Sequence, residues 1–113
     1  MTPTYKLTEA LNATDLGLIQ DFMRTVEIGE GTKLEVGVVT WDSAHMPSIM
    51  WKPFLQWPQY PTARELLDAQ KKALHTRKFF KICHTCKERC NVGHMFDARI
   101  CQSCASRDLG VVF

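Results

Sequence analysis

At 113 residues the chain is long enough for one compact domain, or for a small core with a metal-bound appendage, and too short for two ordinary domains. A hydrophobic content of 45% and an aromatic content of 10% exclude a disordered tail or a low-complexity spacer. The formal net charge is only +2, yet residues 1–63 carry four Lys/Arg against seven Asp/Glu while residues 64–113 carry ten against five, so the half that holds all five cysteines is the basic half.

Along the chain, the N-terminus "MTPTYKLTEALNATD" lacks the basic-then-apolar pattern of a secretory signal, and no apolar run is long enough for a bilayer. A cytoplasmic, reducing location is expected. There, clustered cysteines bind metal or do redox work more often than they form disulfides, and an odd count of five weakens a disulfide framework further. Leu18, Ile19, Phe22 and Met23 recur at helical spacing behind Asn12 or Thr14, which predicts a short amphipathic helix over 14–24. Two β-rich runs then flank Gly29, Glu30, Gly31 and Thr32, a hairpin signal because glycine accepts positive φ cheaply.

Residues 42–61, with four prolines and two tryptophans, read as a structured loop or linker, since missing N–H groups argue against a central strand. Thr62 stands three residues before Glu65 in a capping-box pattern, ahead of Leu66, Leu67, Ala69, Ala73 and Leu74, and predicts a helix over 63–78.

The chemistry concentrates in residues 81–106. Cys83 and Cys86 form one C-x-x-C and, after fourteen intervening residues, Cys101 and Cys104 form another. A two-residue gap lets one tight turn aim two thiolates at one ion, and four such ligands satisfy tetrahedral zinc. The chain is expected to leave the first turn, make a hairpin and return with the second pair. A thioredoxin-like redox pair would need one motif in a βαβ context, whereas an iron–sulfur cluster could also take four thiolates. With the ligand positions of zinc filled, the metal reads as structural and the protein as no enzyme.

The stretch "FFKICHTCKER…DARICQSCASRD", about residues 79–108, resembles the four-cysteine finger of the zinc-ribbon and treble-clef superfamilies. It is similar in layout to the finger of the DksA/TraR group of RNA-polymerase-binding regulators. That resemblance implies a helix, a first knuckle, a hairpin and a second C-x-x-C opening a short helix. Lys87 and Ala105 stand where such knuckles commonly place glycine, and there is no long N-terminal coiled coil, so a polymerase secondary-channel mechanism is not implied.

Cys90 and His94 lie between the two pairs and read as substitute ligands or as part of a second site, against a bland alternative in which Cys90 is buried beneath the hairpin. His84, inside the knuckle, is expected to point outward. A nucleophile reading of Cys90 with His94 as base and Asp97 as orienter would need partners from separate elements. A basic stretch from Lys71, Lys72, His75, Arg77, Lys78 and Lys81 into Lys87 and Arg89 suits a phosphate backbone, with Lys71, Lys72, Lys78 and Lys81 as nucleic-acid contacts. The bland alternative is a solvated helix face with Phe79 and Phe80 docking the finger on the core. Trp41, Trp51 and Trp57 are candidate partner-binding residues, or core.

The reading is an α+β protein: a small α+β region over 1–61 with a Pro/Trp-rich segment, a connecting helix over 62–80, and a treble-clef or zinc-ribbon-like finger over 81–113. It is expected to bind zinc and to act as a non-enzymatic module associated with nucleic acid or a transcription-related protein. The alternative is a protein-interaction adaptor that uses the Trp/Pro segment, with zinc purely structural.

Overall fold

A computed structural model describes residues 11–43 and 46–110 of the chain. The first helix, α1 (Ala13–Phe22), is capped by Asn12, whose side chain accepts from the Asp15 N–H at 2.8 Å. At Met23 the backbone becomes extended, and Thr25, Val26 and Ile28 suit the strand that follows, β1 (Met23–Ile28). It turns through Gly29 and Glu30 into β2 (Gly31–Ser43), and the two strands pair antiparallel from Met23↔Val36 to Ile28↔Gly31. Gly31 has φ 144°, and a Cβ there would run into the Trp57 carbonyl oxygen, so the hairpin end requires glycine.

The expectation of a loop over 42–61 is corrected by β3 (Met46–Trp57), which pairs antiparallel with β2 and completes a sheet of order β1-β2-β3. Prolines stand in this strand because it lies at the sheet edge, where a missing N–H is tolerated. Pro53 also falls at a register shift: Leu34 faces Leu55 while Glu35 faces Pro53, leaving Phe54 as the extra residue. Pro58 and Pro61 follow the strand.

Helix α2 (Ala63–Leu74) begins with the expected capping box, Thr62 Oγ1 accepting from the Glu65 N–H at 3.1 Å and Glu65 Oε1 from the Thr62 N–H at 2.9 Å. It ends four residues before the expected 78. Thr76 Oγ1 donates back to the Lys72 carbonyl at 2.8 Å, and the Thr76 carbonyl accepts from Phe79 and Phe80 at 2.9 and 3.1 Å, which turns the chain.

That turn drives Phe79 and Phe80 into the core with Phe22, Met23, Leu34, Val36, Val38, Val39, Ala69, Ala73 and Leu74. The Phe79 ring meets Phe54 edge-on, centroids 5.8 Å apart. The phenylalanine pair thus docks the C-terminal part on the sheet and helices.

From Phe80 the chain enters a short hairpin, β4 (Phe80–Ile82) with β5 (Arg89–Asn91), paired antiparallel. A 3-10 turn over Val92–His94 leads to a bridge between Met95 and Cys101, and then α3 (Gln102–Leu109) closes on Gly110 in the left-handed region. The architecture is α+β, with a C-terminal cysteine cluster beside a helix. The C-terminal LGVVF, which by composition reads as a terminal strand or a core-docking tail, begins with Leu109 inside α3, and its residues 111–113 lie outside the described residues.

One residue joins the two parts of the sheet system. β1 stops opposite Val36, so β2 loses its neighbour at Gly37 and Val39. The buried Asn91 side chain takes over: its Nδ2 donates to the Gly37 carbonyl at 2.8 Å and its Oδ1 accepts from the Val39 N–H at 3.0 Å and the Gly93 N–H at 3.1 Å. Two buried backbone groups are thereby satisfied by a side chain acting as a third strand.

Candidate metal centre and the basic groove beside it

The first C-x-x-C sits at the tip of the β4-β5 hairpin rather than before it, which corrects the expected order of knuckle then hairpin. Cys83 is held at both ends: its N–H donates to the Glu88 carbonyl and its carbonyl accepts from the Lys87 N–H, each at 2.9 Å. Closing so tight a turn puts Lys87 at φ 64°, the left-handed conformation that glycine adopts at lower cost. The second pair reaches the same place because Cys101 is the N-cap of α3 and Cys104 lies one turn in, on the same face. Ala105, inside α3 and fully buried, needs no glycine. The loop between is fixed by Asp97, whose Oδ1 accepts from the Arg99 and Ile100 N–H groups at 2.7 and 3.0 Å.

The four Sγ atoms of Cys83, Cys86, Cys101 and Cys104 all lie within 4.8 Å of one another. Four sulfurs about 2.3 Å from a common ion would be separated by about 3.8 Å, a spacing the 4.8 Å bound on this set allows. Cys83, Cys101 and Cys104 are buried, and Cys86 forms the open rim. Within the set Cys83 is tuned for thiolate, whereas burial pushes the Cys104 thiol up to about 12. Burial alone would raise the Cys83 thiol, but N–H groups of Cys86, Cys101 and Thr85 point at its sulfur from 3.4–3.5 Å, and its pKa comes down to about 6.

Cys90 and His94 are not brought into this set. Cys90 packs against the cluster with its thiol directed at the Glu88 carbonyl, 3.7 Å away. Burial, with the charges of Cys101 and Cys86 behind it, pushes that thiol up to about 12. The His94 ring meets Phe22 edge-on at 5.9 Å, and burial lowers its pKa. Asp97 is occupied with its own turn, so the three groups of the nucleophile reading face three different ways. His84 is exposed on the knuckle, its N–H tied to the Arg99 carbonyl at 2.6 Å.

Beside the hairpin lies an open groove of about 710 Å³. Its polar lining is His75, Arg77, Lys78, Lys81, His84 and Arg89; its apolar lining is Leu74, Phe80, Ile82 and Ala98, and no carboxylate is among them. Arg89 is fixed by an ion pair to Asp15 at 2.7 Å, with both side chains about nine-tenths buried, and by a contact from Nη2 to His75 Nε2 at 3.3 Å. Since His75 Nδ1 lies 2.9 Å from the Lys71 carbonyl, Nδ1 carries the proton and Nε2 accepts from Arg89.

Of the four lysines named from sequence, Lys78 and Lys81 line this groove, Lys72 is exposed on α2, and Lys71 is buried against the core with 6% exposure. The three tryptophans do not share one surface. Register places Trp41 and Trp51 on one sheet face, with Trp57 on the core face. Trp41 Nε1 donates to the Gly93 carbonyl at 2.7 Å, and Arg24 stacks over Trp51 at 4.2 Å. Asn91, Asp15 and the groove-lining Ile82 and Ala98 carried no motif by which sequence could single them out; their roles come from tertiary placement.

Comparison with protein families, with curated proteins and with solved structures gives no match in any of the three. The resemblance to four-cysteine fingers therefore rests on this sulfur cluster and its hairpin-and-helix setting alone. Among the described residues, no helix is long and apolar enough to cross a membrane.

Proposed function

We propose that the chain is a zinc-braced, non-enzymatic binding module that associates with nucleic acid in a reducing, cytoplasmic setting. The observation that carries this reading is the closed sulfur set: four cysteine ligands within 4.8 Å fill a zinc ion's tetrahedron and leave no position for water or substrate. A bound zinc would supply folding energy rather than Lewis-acid chemistry.

Binding to an anionic partner is supported by the charge of the cysteine-bearing half and by the groove without carboxylates. Phosphate contacts make log affinity fall linearly with log salt. The expected result is salt-dependent binding of the zinc-loaded chain to a mixed pool of single- and double-stranded nucleic acid. Absence of binding at low salt would remove this reading.

A specific observation favours the second reading, a protein-interaction adaptor. Where β2 and β3 run past β1 they expose Trp41, Met46, Ile49 and Met50, at 41%, 65%, 44% and 53%. An apolar ribbon of this kind is where a protein partner would sit if nucleic acid does not bind.

A further inference from the structure

We propose that the groove between the end of α2 and the β4 hairpin is a site for single-stranded nucleic acid, in which Arg77, Lys78 and Lys81 hold successive phosphates and Ile82 receives an unstacked base. This rests on the nucleic-acid reading above and narrows it to a place and a strand state. Charge gives the first argument. Arg89 is already balanced by Asp15, whereas none of the ion pairs among the described residues involves Arg77, Lys78 or Lys81. Three cations without a carboxylate partner, Lys78 also 5.8 Å from the centre of the Phe79 ring, line one concavity whose walls hold no carboxylate and form a focused positive field.

The second argument is apolar. Ile82 is 46% exposed on β4, above the buried Phe80, with Ala98 and the exposed His84 beside it. A duplex keeps its bases stacked and offers this platform only phosphates. A single strand can splay a base against this apolar patch while its flanking phosphates reach the cations, with Ile82 standing where non-specific single-strand sites commonly use an aromatic ring. RNA and DNA strands share that chemistry.

The test is fluorescence anisotropy of the zinc-loaded full chain with labelled oligouridine, oligothymidine and a duplex of the same length. Tighter binding of single strands than of duplex is expected, with a log–log salt slope of about −2 for three phosphate contacts on a single strand. R77A/K78A/K81A should lose at least about tenfold in affinity and flatten the slope, since each contact carries about 0.7 of it. Ile82→Ser should weaken binding several-fold with the slope unchanged, and Arg64→Ala, on the exposed start of α2, should change neither. Zinc content of each variant reports that its finger is intact. Duplex binding equal to or tighter than single-strand binding, or a triple variant that binds as the parent does, would overturn the inference and leave the broader reading standing. No binding to any of the three probes at low salt would overturn both.

Discussion

Lys87 occupies a backbone position that costs an L-residue about 1–2 kcal/mol, because the knuckle can only close with φ 64° there. Lys87→Gly removes that strain but adds unfolded-state freedom, so a net gain in stability of up to about 1 kcal/mol is expected in urea denaturation. Asn91 works in the opposite sense. Its replacement by alanine leaves the Gly37 carbonyl and the Val39 N–H buried without partners, and a loss of about 2–3 kcal/mol is expected from the same measurement. Glu35 adds a pH dependence. Burial raises its pKa, but hydrogen bonds from Arg24 and Lys33, at 2.8 and 3.1 Å, outweigh burial and hold it below its ordinary value of 4.5. A depressed folded pKa contributes stability that is complete above the unfolded value and is lost as pH falls through the folded one. Glu35→Gln should therefore cost about 0.5–1 kcal/mol at neutral pH, with the difference from the parent vanishing in acid denaturation.

At the level of elements, what could be read from sequence was what local chemistry alone decides. Asn12, the Gly29–Gly31 turn and the Thr62/Glu65 box each act within a few residues, and each helix or hairpin they announce is present. Thr62→Ala should accordingly lower stability by about 1 kcal/mol, seen as a shift in the urea midpoint without a change of slope. The strand β3 was hidden because its prolines signal a loop unless one knows that it is an edge, and edge status is set by the other strands. The end of α2 was missed for a similar reason. Thr76 and the Phe79–Phe80 pair stop the helix only because the core is there to receive the rings. Within the finger, the C-x-x-C spacing announced the sulfur set. The groove was not legible in the same way, since Ile82 and Ala98 meet the basic residues of α2 only in three dimensions.

Over the whole molecule, two clusters share one chain: an apolar core of sheet, α1, α2 and the phenylalanine pair, and a second cluster of Cys83, Cys101 and Cys104 with Cys90, Met95 and Ile100 around them. The second has little apolar area to set against an ordering entropy of about 1–2 kcal/mol per backbone residue, so its order is expected to depend on a metal held by the four cysteines. Chelation should strip amide-exchange protection from 83–87 and 95–109 first, while β1, β2 and α2 keep theirs. The hairpin stem, bonded to β2 through Asn91, should respond in between. A zinc-braced module requires one ion held by four particular sulfurs, and metal analysis of the purified chain and its cysteine variants tests that directly. One zinc per chain is expected in the parent and in Cys90→Ser, with most of it lost in Cys83→Ser and Cys101→Ser. A parent without metal, or a Cys90→Ser variant that loses as much as Cys83→Ser, would contradict it.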